Sequence, residues 1–270
     1  MKSKTYAICW DGSIDNCLDI DNQLSTSNLD YLIYNVAKQE VDRKNWLRAE
    51  DIRYYGHFYN ALKDFAETDY DIFIFNAGDP VYSDWVGYTK RVEKLMSMDP
   101  DIYAIVPQTI NDLFSGEGSF IAPSNLFKNL DLSAHTNGIH VSLSRELALS
   151  LKDYMDWAVE SKILLIPQMT SGWGIDTVFC AMAVYKNKKI YRDTSLSVFH
   201  PTSTSTVDEI GNQEVAIVLD SFKQFCEING LDANKIQQIY DITYRKVRER
   251  ANYQINLKEL YVNLEGELDV

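Results

Sequence analysis

Residues 69–85 read DYDIFIFNAGDPVYSDW. Ile72, Phe73, Ile74 and Phe75 form a continuous apolar run, the pattern of a strand buried on both faces. Gly78 and Pro80 stop it, so the stretch predicts a strand followed by a turn over Asn76-Ala77-Gly78-Asp79-Pro80. Open α/β sheets bind ligands at the carboxyl ends of interior strands. Asn76 and Asp79 are therefore placed where a ligand would be met. Asp beside Gly and Pro is also ordinary turn chemistry, and the choice between turn-former and hard-cation ligand depends on what else the chain brings there.

Upstream, Tyr6–Trp10 reads as a first buried strand. The acid-rich DGSIDNCLDIDNQ that follows lacks the residue order of a calcium loop and reads as a polar loop. Leu29, Leu32, Ile33 and Val36 predict a helix over 25–38, and Phe58, Leu62 and Phe65 another over 55–65. The tyrosines of 54–59 could offer stacking surface, but at helical spacing they read first as core.

Downstream, Asp84 is the expected cap of a helix running to Met98, and Ile102–Val106 reads as a strand closed by Pro107. This alternation predicts an α/β fold with a mostly parallel central sheet flanked by helices. The Gly-containing loop 115–124 lacks the GK[ST] ending of a phosphate loop. Ile139–Leu143 reads as a strand, with Ser144 capping a long amphipathic helix. His135 and His140 read as structural or acceptor-contacting histidines rather than ligands. A short strand over 163–166 precedes Ser171-Gly172-Trp173-Gly174-Ile175-Asp176. There the glycines permit a tight path that can hold an indole against a flat ring, and Asp176 sits in the first turn of a helix, where the dipole favours a carboxylate. The plainer alternative is an entry loop, an N-terminal acid and a core tryptophan. Ile190–Phe199 alternates strictly and delivers His200 into a loop. From Asn212 onward the pattern is helical. A boundary near residue 206 gives a main domain, 1–206, and a C-terminal helical extension, 207–270, whose basic stretch Arg245–Arg250 is either a solvated face or a contact for phosphates and acidic headgroups.

The chain has 270 residues, 46% of them apolar, and carries 26 Lys plus Arg against 39 Asp plus Glu, a formal charge of -13. That composition is globular, and the charge repels polyanions at long range, which weighs against non-specific nucleic-acid binding. Cys9, Cys17, Cys180 and Cys226 show no paired metal spacing, and free thiols in a cytoplasmic protein are expected. No run approaches the roughly 18 apolar residues of a spanning helix, so any membrane role is expected to be peripheral.

Asp79, Asp176 and His200 each end or edge a predicted element. Hard cations take carboxylate oxygens and Mn²⁺ also accepts imidazole. In this respect the chain resembles a glycosyltransferase of the GT-A type over roughly residues 5–205. Asn76–Asp79 loosely matches the DxD-like metal motif at a central strand's end, Gly172–Asp176 resembles a GWG-plus-acid signature, and His200 resembles a late metal-site histidine. The resemblance implies a nucleotide-sugar donor, UDP-linked, and Mn²⁺ or Mg²⁺ held by Asp79 and His200. It implies nucleotide contacts from the Ile8–Asp15 segment, including Trp10 and Asp11, and from Asn76 and Asp79. It also implies Asp176 as catalytic base, with Trp173, Gly174 and His140 at the sugar or acceptor, which is a glycan, a lipid-linked saccharide or another hydroxyl. Asn76 departs from the motif, where an acid is expected. The alternatives are a glycosyltransferase acting on hydroxymethylpyrimidine in DNA, another metal-dependent nucleotide enzyme, and a non-catalytic binding protein.

Overall fold

In a computed structural model, residues 1–110, 121–124, 127–133, 136, 138, 140–162, 174–199, 208–239 and 241 are described. The order of elements is β1 (Ser3–Cys9), α1 (Ile14–Thr26), β2 (Asp30–Asn35), β3 (Trp46–Arg48), α2 (Arg53–Ala66), β4 (Ile72–Asn76), α3 (Trp85–Met98) and β5 (Ile102–Ile110). It continues with β6 (Ile121–Pro123), β7 (Leu130–Ser133), β8 (His140–Ser144), α4 (Arg145–Glu160), α5 (Ile175–Tyr185), β9 (Lys189–Phe199) and α6 (Asp208–Ile228). The strands form one sheet in the order β3-β2-β1-β4-β8-β5-β9-β7-β6. β1 runs parallel to β2 and β4, β2 to β3, and β5 to β9. Only β8, between β4 and β5, and β7, between β9 and β6, are reversed among these strands. The sheet is thus mixed but mostly parallel, as the alternation of elements predicts.

β4 lies in the interior of the sheet, and all five of its residues are buried. Phe58 and Phe65 of α2 meet Phe73 edge-on, and Phe58 also meets Phe75. Such tilted aromatic contacts add about 0.5–1.5 kcal/mol each to the area they bury. α1 packs with α3, α2 with α4, and α4, α5 and α6 with one another.

Two early assignments are corrected. The acid-rich segment expected as a loop is α1, whose Cys17, Ile20, Asp21 and Leu24 face inward while Asp15 and Asp19 are exposed. The segment 25–38 expected as a helix instead ends α1 and supplies β2, in which Tyr31, Ile33, Tyr34 and Asn35 are buried. Its apolar residues fit a helical stripe, but its aromatic and β-branched members favour a strand beside β1. β5 also continues past Pro107. Its register against β9 jumps there, from Pro107↔Asp193 to Gln108↔Ser197, an irregularity at the residue that lacks an N–H to give. Asp84 and Ser144 cap α3 and α4 as expected, accepting hydrogen bonds from the Gly87 and Leu147 amides.

α6 is packed onto the main body. The Tyr154 hydroxyl of α4 hydrogen-bonds the Val218 carbonyl at 2.9 Å and the Ser221 hydroxyl at 2.6 Å. Phe222 and Phe225 close around the same ring.

Candidate functional site

The parallel strands β1, β2 and β4 present their carboxyl ends on one edge, and the Asn76–Pro80 turn is fastened there by side chains from three elements. The Asn76 Oδ1 accepts from the Gly78 amide at 2.6 Å, and its Nδ2 faces His140 Nδ1 at 3.1 Å and the Pro80 carbonyl at 3.4 Å. Asn16, on α1, donates to the Gly78 and Pro80 carbonyls at 2.8 and 3.0 Å. The Trp10 indole N–H donates to the Ala77 carbonyl at 2.5 Å. Gly78 has φ +96°, and a Cβ there would lie 1.7 Å from the Ile8 carbonyl oxygen, so only glycine fits. Three grips and one glycine fix the direction in which Asp79 leaves the strand.

Asn76 is 0% exposed. With its amide oxygen facing Gly78, its N–H₂ faces His140, which makes Nδ1 of His140 the acceptor and leaves the ring proton on Nε2. His140 is antiparallel to Asn76 in the sheet register, 2% exposed, and enclosed by the Trp85 and Tyr88 rings at 5.3 and 4.7 Å. Burial pushes its pKa down to about 3, so it is neutral at physiological pH. In the position where the resemblance expects a second acid and an acceptor contact, the protein holds a buried polar pair that shapes the turn.

Asp176 is half-buried in the first turn of α5, and its Oδ1 accepts from the Thr177 amide at 2.7 Å. Its Cβ lies 3.4 Å from where a Cβ on Gly138 would be. Tyr54, at the start of α2, donates its hydroxyl to the Gly138 carbonyl at 2.5 Å. Burial raises the Tyr54 pKa well above its ordinary value, and the charges of Asp176 and then Asp79 raise it further. The phenol therefore stays a donor.

The remaining predicted residues are placed as follows. Ile8 is fully buried, so it meets the site through its backbone only. Asp11 is exposed on the lip of the β1–α1 loop; the Lys38 amide, at 2.6 Å from Oδ1, holds its carboxyl below the ordinary range. Asp15 is exposed on the first turn of α1. Gly174 has φ +94°, and a Cβ there would meet Val215 and Val218 of α6 at 3.2 Å, so its neighbour in this structure is a helix. Trp173 and His200 lie outside the described residues. The residue before His200 does not: Phe199 and Val81 exchange backbone hydrogen bonds at 2.8 and 3.0 Å. Phe199, the last described residue of β9, therefore lies alongside Val81, two residues past Asp79.

Sequence reasoning did not single out Asn16, Tyr54 or Gly138. Asn16 was hidden by reading α1 as a loop, and Tyr54 by the reading of its stretch as core. Among the described residues, no group of three or more His, Cys, Asp or Glu could hold a metal ion.

No family model and no curated protein matches the chain. Among solved structures, GalNAc-T7 with UDP, GalNAc and Mn²⁺ superposes with a TM-score of 0.55 at 11% identity, over 96% of this chain and 58% of its own. The fold is GT-A-like. The chain thus spans little more than half the length of that neighbour. A197 from STIV aligns at TM-score 0.45 and 14% identity, over 77% of this chain and 87% of its own. A UDP-glucose pyrophosphorylase complexed with UDP-glucose aligns at 0.43 and 10%, over 83% and 99%. At these identities the likeness reaches the GT-A-like fold and no further.

Proposed function

We propose that the protein is a glycosyltransferase, moving a sugar from a UDP-linked donor to the hydroxyl of a glycan or other acceptor with a divalent metal assisting. The observation that carries this reading is the placing of Asp79 just past the carboxyl end of β4 in a GT-A-like sheet, with Asp176 on the first turn of α5 beside the Gly138 backbone that the Tyr54 hydroxyl holds. Asp176 is the base that takes the acceptor proton as the oxygen attacks the anomeric carbon. Trp10, Asp11 and Asp15, on the loop and helix start after β1, are the nucleotide contacts, and Trp173 is the sugar-side residue, while Gly174, packed against α6, serves the path of the chain.

The fit of a metal is divided. Asp79 offers a half-buried carboxylate at the end of β4, and the Val81–Phe199 bridge brings the chain before His200 to the same place. Asn76 does not fit as a ligand, because its amide is buried and engaged on both sides. Asp79 and His200 are thus the residues that would hold Mn²⁺ or Mg²⁺. A bound cation supplies positive charge opposite the departing diphosphate. The four cysteines are free and buried, which fits a reducing, cytoplasmic setting. Among the described residues no helix is long and apolar enough to cross a membrane.

The test is thermal unfolding with UDP, GDP, CMP or dTDP, each with and without Mn²⁺. UDP should raise the midpoint, since ligand at 100 times Kd stabilises by about 2.7 kcal/mol, and Mn²⁺ should enlarge the rise in wild type but not in Asp79→Ala. A protein that no nucleotide stabilises does not use such a donor.

A further inference from the structure

Val81 and Phe199 are large apolar side chains left open to solvent, 46% and 48% exposed. They stand opposite one another. The Val81 amide donates to the Phe199 carbonyl at 2.8 Å, and the Phe199 amide to the Val81 carbonyl at 3.0 Å, in an antiparallel bridge. A pair that exchanges both bonds is directly opposed, so its side chains leave from the same face with Cβ atoms about 5 Å apart. Their chain neighbours point the other way. Tyr82 is buried against Trp85 and Tyr88, and Val198 is fully buried.

The exposed face continues along β9. Ser197, two residues before Phe199, is exposed and lies in register with half-buried Gln108 of β5. A phenyl ring and a valine therefore adjoin a hydroxyl and an amide, and the patch begins two residues past Asp79.

What rests on such a patch needs an apolar face and a polar rim. A pyranose has both, with C–H bonds on its flat sides and hydroxyls around its edge. The face of a phenyl ring is negative and attracts the positive hydrogens of C–H bonds. A few polar groups beside an apolar wall then fix the orientation of what is bound. The charge of the surroundings narrows the choice further. Residues 76–89 include Asp79 and exposed Asp84 and contain no lysine or arginine, and nearby Arg91 is engaged by buried Asp193. A DNA strand or a phosphorylated lipid would meet carboxylates here with no free cation in that segment to answer its phosphates.

We propose that Phe199, backed by Val81, is the residue on which the acceptor of the transfer reaction rests, and that it selects a neutral saccharide. Ser197 and Gln108 supply the hydroxyl and amide for the rim of the sugar. The inference rests on the reading of the protein as a glycosyltransferase and names the acceptor class of that site.

The test is saturation-transfer NMR on the full chain with UDP and Mg²⁺. The probes are the methyl glycosides of glucose, galactose, mannose, N-acetylglucosamine and N-acetylgalactosamine, with 5-hydroxymethyldeoxycytidine beside them. Thermal unfolding with and without UDP is followed on the same samples. In the wild type at least one glycoside should receive saturation at its ring C–H protons. Phe199→Ala should bind that glycoside roughly 3–10-fold more weakly, the share of one aromatic contact. Phe199→Trp keeps the ring and should retain the affinity, and stabilisation by UDP should be equal in all three proteins. Unchanged glycoside affinity in Phe199→Ala overturns the proposal. So does a protein that UDP stabilises but that receives no glycoside, or only the nucleoside. A glycoside contact that depends on Phe199 in a protein that UDP does not stabilise upholds the sugar platform and overturns the donor reading instead.

Discussion

Replacing Gly78 by alanine strikes the turn that aims Asp79. Two costs add. An L-residue in the left-handed region loses about 1–2 kcal/mol, and Gly78 sits at φ +96°. The new methyl would also lie 1.7 Å from the Ile8 carbonyl oxygen and 2.9 Å from its carbon. Those are backbone atoms of an interior strand, so no side chain can swing aside, and forced overpacking adds about 1–3 kcal/mol. The sum is roughly 2–5 kcal/mol, a large part of the 5–15 kcal/mol typical of a folded protein. At about 2 °C per kcal/mol for a chain of this size, the midpoint should fall by roughly 4–10 °C. Two other glycines separate the terms. Gly230→Ala meets open space at φ +69° and should lose only the conformational cost of about 1–2 kcal/mol. Gly12→Ala meets open space with no positive φ and should change stability by less than about 0.5 kcal/mol. Guanidinium unfolding followed by far-ultraviolet circular dichroism reads all three. A Gly78→Ala protein no less stable than Gly230→Ala would refute the reasoning, because the Ile8 carbonyl would then be yielding freely.

Asp176→Asn should lower turnover by about 10²–10⁴ if the carboxylate is the base, with donor Kd unchanged by calorimetry; turnover within a fewfold of wild type returns Asp176 to a helix-start acid. His57 is 0% exposed and neither ring nitrogen has a hydrogen-bond partner among the described residues. His57→Phe should therefore equal or exceed wild-type stability at pH 7, since the unpaired polar atoms are removed and the ring is kept. Burial pushes His57 down to about 4 and His140 to about 3. A histidine whose folded pKa is depressed is protonated first in the unfolded chain, so stability is lost as pH falls from the unfolded value toward the folded one. Between pH 7 and pH 5.5 each should cost about 1 kcal/mol, and His57→Phe should remove one such share from denaturation curves across that range. Tyr154→Phe deletes the hydroxyl that joins α4 to Val218 and Ser221; a loss of about 1 kcal/mol with faster proteolysis in α6 is expected, and an unchanged α6 would mean that its aromatic contacts alone hold it.

What could be read in advance follows the range of the forces involved. β4, β9, α3 and α4 were legible because an unbroken apolar run, a strict alternation, or a cap followed by a stripe is local information. α1 was not, because its inward face mixes Cys17 and Asp21 with Ile20 and Leu24, and its aspartates dilute the periodicity. Buried Asp21 is answered by Tyr31 and Arg43, partners that only the folded chain supplies. The site divides the same way. Asp79 could be placed at a strand end from its neighbours alone, but that Asn76 is consumed by His140 depends on β8 lying antiparallel beside β4. The meeting of Tyr54, Gly138 and Asp176 joins three segments far apart in sequence. Gly174 showed its need for freedom, and the helix pressed against it lies beyond the expected domain boundary.

The reversed strand β8 has a consequence for how the chain is made. β4 and β5 are near in sequence, yet each pairs with β8, which arrives only after both. Until Ser144 has been synthesised, the emerging chain carries the IFIF segment of β4 with one side of its backbone unpaired and its apolar faces incompletely covered. At the usual pace of translation, that interval lasts roughly 3–14 s, long compared with the microseconds in which helices and hairpins form. An open, apolar strand edge is a template for pairing with other chains. The nascent protein therefore passes through a period in which the strand that organises its native sheet is also its principal hazard for aggregation, and arrival of β8 ends it.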